Sequence, residues 1–79
     1  MNNIEKQILD QEYQVMLDHL TLRSESPSFK IEEIEEEYHH LLIYQGQDWD
    51  GRGQIKGAEI QGHVYAYEVF LKRWHDNQN

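Results

Sequence analysis

The chain has 79 residues, enough for one domain with a modest core, so a second copy or a bound ion would add useful stability. Fifteen acidic against seven basic residues leave a net charge of -8, which disfavours binding to a phosphate backbone or an anionic membrane surface and favours cations or basic protein surfaces. The absence of cysteine removes disulfides and thiolate metal sites and fits a reducing compartment.

The N-terminal stretch MNNIEKQILDQEYQ has neither the basic nor the apolar block of a secretory signal. The longest apolar run, Leu41 to Tyr44, is too short to span a bilayer, and the chain is expected to be soluble and cytoplasmic. From Ile4 to about Leu22 the residues Leu9, Tyr13, Met16 and Leu20 recur at alternating steps of four and three, which predicts an amphipathic helix over residues 3 to 22. The polar segment Arg23 to Ser28 contains the one proline and ends that helix. Ser26 followed by Pro27 supplies an N-cap and a first helical residue, so the second helix is expected over 27 to 45. Its apolar stripe is Ile31, Ile34, Tyr38 and Leu41, widened by Leu42. On its outer side Glu32, Glu33, Glu35, Glu36 and Glu37 present a dense acidic face.

The run Gly46 to Gly53 holds three of the five glycines, a composition for tight turns with positive φ. A third helix over 54 to 75 carries Ile60, Val64, Tyr67, Leu71 and Trp74 at steps of four, three, four and three. Tyr65, Ala66, Val69 and Phe70 lie off that seam, more apolar surface than one packed face needs. Either this helix is sandwiched between the other two, or Tyr65, Val69 and Phe70 form a face for a homodimer or another partner.

Between the second and third helices the twelve residues DWDGRGQIKGAE place Asp48, Asp50, Gly53, Ile55 and Glu59 at the first, third, sixth, eighth and twelfth places of a calcium loop. This stretch resembles the EF-hand family. The resemblance implies side-chain ligands from Asp48 and Asp50, a carbonyl ligand from Gln54 and a bidentate clamp from Glu59. The fifth place holds the cation Arg52, the ninth holds Lys56, and there is one such loop rather than a pair. The same residues also read as a glycine-rich turn that a helical hairpin requires on its own account.

Glu36 and Glu37 precede His39 and His40 by three residues, the Glu-x-x-His spacing of dinuclear helical bundles, but His40 projects outward from the Ile31, Ile34, Tyr38 and Leu41 stripe. There is no nucleophile elbow, Walker motif or dinucleotide glycine pattern. The expectation is therefore a single all-α domain over 1 to 79, a small three-helix bundle whose last two helices form an antiparallel hairpin. Its expected role is a non-enzymatic, self-associating protein interaction module with no obligatory cofactor. An acidic mimic of nucleic acid that occupies a basic protein, or weak calcium binding through Asp48 to Glu59, are the alternatives. Direct nucleic-acid and membrane binding are not expected.

Overall fold

The stretches of alternating three- and four-residue apolar spacing are the three helices of the computed structural model, which describes residues 3–46 and 53–77. They are α1 (Asn3–Arg23), α2 (Ile31–Gln45) and α3 (Gly53–Asn77), with no strand among the described residues. No helix among them is long and apolar enough to cross a membrane.

At 1.5 Å per residue α3 is about 37 Å long, nearly the 39 Å longest dimension of the molecule. It is the axis of the bundle, and both other helices pack on it. Glu12 lies beside His63, and Leu17 and Thr21 lie beside Phe70 and Trp74, so α1 runs parallel to α3. Gln45 meets Gln61 and Tyr38 meets Glu68, so α2 runs antiparallel to α3, as the hairpin requires. The backbones of α1 and α2 do not approach one another among the described residues.

The α1·α3 contact is close for an identifiable reason. Ala58, Gly62 and Ala66, spaced four apart, are all buried. A Cβ placed on Gly62 would lie 2.6 Å from the carbonyl oxygen of Leu9 and 3.0 Å from the amide nitrogen of Tyr13. The missing side chain is what lets the two backbones approach.

The core contains Leu17, Leu20, Ile34, Ala66, Tyr67, Phe70 and Leu71, with Tyr13, Met16, Ile31, Tyr38, Leu41, Val69 and Trp74 packed around it and Ile60 and Val64 buried further along α3. Two expected members are displaced. Leu42 is 38% exposed, because α2 meets α3 along Ile34, Tyr38 and Leu41 and turns the next residue outward, while Leu9 is only half-buried. Leu17 takes the central place in α1 that the sequence pattern assigned to Met16.

The start of α2 also differs from expectation. Phe29 N–H donates to the Ser26 carbonyl at 3.1 Å and Ser28 N–H donates to Ser26 Oγ at 3.3 Å. Pro27 thus occupies the second position of a β-turn, where its fixed φ is equally suited, and does not open a helix. The chain then extends through Lys30, with φ -130° and ψ 122°, so α2 begins at Ile31 without a side-chain cap. This extension drops Phe29 onto the far end of the core, edge-on to Phe70 at 6.2 Å and tilted against Trp74 at 5.2 Å. At the other end Gly46 has φ -79°, so it closes α2 without the left-handed geometry its glycine would permit.

Candidate interaction surface

Polar groups that bind a partner must first be separated from those the fold consumes. Glu37 belongs to the second kind. It stands three residues after Ile34 and four before Leu41, which places it at the edge of the packed stripe of α2. Arg23, the last residue of α1, donates to both its oxygens at 2.7 and 2.9 Å, and the Tyr67 hydroxyl of α3 donates to it at 2.9 Å. One carboxylate therefore ties all three helices.

The bidentate hydrogen bonds from Arg23, together with that from Tyr67, outweigh partial burial and hold the Glu37 carboxyl below its usual range. The same hydrogen bonds raise Arg23. Burial, followed by donation to the Glu37 anion, pushes Tyr67 up to about 12. Tyr38 stacks on Tyr67 with ring centres 6.3 Å apart and donates to Glu68 at 3.2 Å. Burial first, then Glu68, raises its hydroxyl as well.

The expected acidic face therefore loses Glu37 and retains Glu32, Glu33, Glu35 and Glu36, all exposed. Glu32 and Glu33 occupy the first turn of α2, where the helix dipole favours them. Glu35 lies 3.2 Å from His75 of α3. His40 is exposed, as its position on the helix required, and so is His39, whose position is at the edge of the stripe. His63 lies 3.0 Å from Glu12 of α1, a pairing that needs its Nε2 to carry the proton. Among the described residues no three histidines, aspartates or glutamates converge as metal ligands.

The other end of α2 has the opposite character. Leu41, Leu42, Ile43 and Tyr44 are four consecutive apolar residues, and at 100° per residue they cover nearly the whole circumference of the last turn. Leu41 packs against the core, while Leu42, Ile43 and Tyr44 are 38%, 47% and 48% exposed. A helix that is apolar all round is ordinarily buried all round.

The aromatic face expected on α3 is reduced. Phe70 is 7% exposed and belongs to the core, sealed by Phe29 and Leu17, and Val69 packs against that core. Only Tyr65, 44% exposed, remains available of the three. Their positions follow from α3 being packed on two sides, which uses more of its circumference than one heptad seam. Of the expected calcium ligands, Asp48 and Asp50 lie outside the described residues, and Gln54, whose carbonyl was the expected ligand, lies in the first turn of α3. Glu59 lies on α3, half-buried.

Two contributors were missed in the sequence pattern. Arg23 carries no periodic signal, but Glu37 was legible from its spacing to Ile34 and Leu41. Phe29 stands alone between polar residues, where periodicity gives it no weight. Compared with family models, curated proteins and solved structures, the chain matches none.

Proposed function

We propose that this chain is a non-enzymatic protein interaction module that self-associates through the last turn of α2. The observation that carries this reading is the exposure of Leu42, Ile43 and Tyr44 in a row on a helix end. Consecutive exposed apolar residues are costly in a soluble surface unless another surface covers them. A second copy offers the same patch and forms a self-complementary contact about a two-fold axis.

Sedimentation velocity at two concentrations about a hundredfold apart tests this, since a dimer gains population with concentration. The wild type should approach twice the monomer mass at the higher concentration, and Ile43→Glu should stay monomeric. A wild type that remains monomeric throughout removes the self-association.

A second reading is favoured by the four exposed glutamates of α2, an acidic array on a chain of net charge -8. It would engage a basic protein surface as nucleic acid does. Capture of basic proteins should then fail at raised salt, because exposed charge pairs are screened within about 10 Å at 0.1 M. Salt-insensitive capture counts against it.

A further inference from the structure

Because α1 and α2 sit apart on α3, an open furrow lies between them, and it is continued along α2 by a stretch of different chemistry. Met16 from α1, Leu41 from α2 and Tyr67 from α3 line a depression of about 330 Å³, bordered by Glu37, His40 and His63. A second depression of about 290 Å³ adjoins it along α2, sharing Glu37 and His40 and adding Glu33 and Glu36 of the same helix. Neither lining contains a lysine or arginine. The nearby cation Arg23 is already committed to Glu37.

We propose that this furrow docks a basic amphipathic helix of another protein, seating apolar side chains on Met16, Leu41 and Tyr67 and placing Lys or Arg beside Glu33 and Glu36. Size and charge select this occupant. The apolar half has room for large side chains but is open, which suits a helix laid along it rather than an enclosed small molecule. Leu41 and Glu33 are eight residues apart on α2, about 12 Å at 1.5 Å per residue, so anchor and cation must lie about two turns apart on the partner. A second copy of this chain is a poor occupant. Its densest charged surface is also glutamate, and like charges brought together in a contact oppose it.

This inference rests on the interaction reading but uses the side of α2 that carries Leu41, turned about 200° from Ile43 at 100° per residue. The probe is a fluorescent synthetic peptide of about 16 residues, about 24 Å as a helix, with leucines at i, i+3 and i+4 and arginines two turns along. It is titrated against the full chain by anisotropy.

Binding should be saturable and should weaken as salt rises. Glu33→Lys/Glu36→Lys should weaken it about tenfold, equivalent to about 1.4 kcal/mol. Leucine-to-alanine changes in the peptide should do the same without touching the protein's fold. Amide resonances of Met16, His40 and Leu41 should shift on titration. Ile43→Glu should leave the affinity unchanged, so loss of self-association and loss of peptide binding are separable results.

Several outcomes overturn the proposal. They are an absence of binding, equal affinity for a peptide carrying glutamate in place of arginine, and resonance shifts confined to another face. Equal weakening by the distant reversal Asp10→Lys/Glu25→Lys would likewise reduce the contact to general charge attraction and overturn it.

Discussion

Replacing Gly62 by alanine sets two effects of opposite sign against each other. In a helix interior alanine is favoured over glycine by about 1 kcal/mol, so the change should stabilise α3 taken alone. The added Cβ would stand 2.6 Å from the Leu9 carbonyl oxygen, whereas ordinary contact begins at 3.4 Å. The helices would have to part by the difference, 3.4 - 2.6 = 0.8 Å. The obstructing atoms are backbone, so no side-chain rotation relieves the clash. Overpacking of this kind costs about 1–3 kcal/mol, and displacement along α1 also loosens Leu17 and Leu20, which places the cost at the upper end. The net expectation is a loss of about 1–2 kcal/mol.

Gly57 provides the comparison within the same helix, since a Cβ there meets nothing within 4 Å. Gly57→Ala should therefore stabilise by about 1 kcal/mol. Urea unfolding followed by far-UV circular dichroism should move the two midpoints in opposite directions. Melting temperatures should separate accordingly, by about 4–8 °C per kcal/mol for a domain of this size. If Gly62→Ala raises the midpoint as much as Gly57→Ala does, α1 and α3 do not approach at Gly62 and the packing described for them is wrong.

Glu37→Gln should destabilise by up to about 1 kcal/mol at neutral pH, an exposed ion pair's contribution rather than a buried one's. Because the folded carboxyl sits below its ordinary value of 4.5, its contribution is present above that value, and the gap between wild type and variant should close as pH falls through the folded value. Tyr67 has the opposite sign. Its folded value near 12 exceeds the ordinary 10, so its contribution is full below pH 10 and is lost as pH rises toward 12. A spectrophotometric titration at alkaline pH should show a late phenolate component that Tyr67→Phe removes. Phe29→Ala should cost about 2 kcal/mol, less than a fully buried phenylalanine, with a loss of near-ultraviolet dichroism as Trp74 loosens. An unchanged thermal midpoint would show that Phe29 does not seal the core. A calorimetric titration with calcium tests the Asp48 to Glu59 resemblance: saturable heat abolished in Glu59→Gln supports an ion site, and absence of heat removes it.

The three helices and their hairpin order were legible because steps of three and four persist along each one, and Ile34, Tyr38, Ile60, Val64, Tyr67 and Leu71 pack where their spacing put them. Periodicity is a weaker guide where one helix serves two neighbours. Phe70 lies off the α3 seam, yet α1 and the Phe29 loop bury it. Ser26 and Pro27 show a different limit, since a serine followed by proline satisfies both a helix start and a β-turn. The long-range packing of Phe29 on Phe70 and Trp74 accompanies the turn, and no local rule contains it. Glu37 was grouped with its acidic neighbours by residue type, although its spacing set it at the edge of the packed stripe. Of the acidic and apolar surfaces, the exposed glutamates were therefore readable in part, and the apolar end of α2 emerged only when Leu42 failed to enter the core.

The parallel docking of α1 on α3 gives the molecule an order of events during synthesis. Of the three helices, α1 is made before the helix it packs on: Leu17 and Leu20 await Phe70 and Leu71, 71 - 20 = 51 positions after Leu20. At about 5–20 residues per second, that interval is about 3–10 s at the ribosome. Throughout it α1 must hold an unpartnered apolar stripe, while α2 and the start of α3 can already form their hairpin. Burial of α1 thus waits on the synthesis of Phe70 and Leu71, whatever α2 has already done.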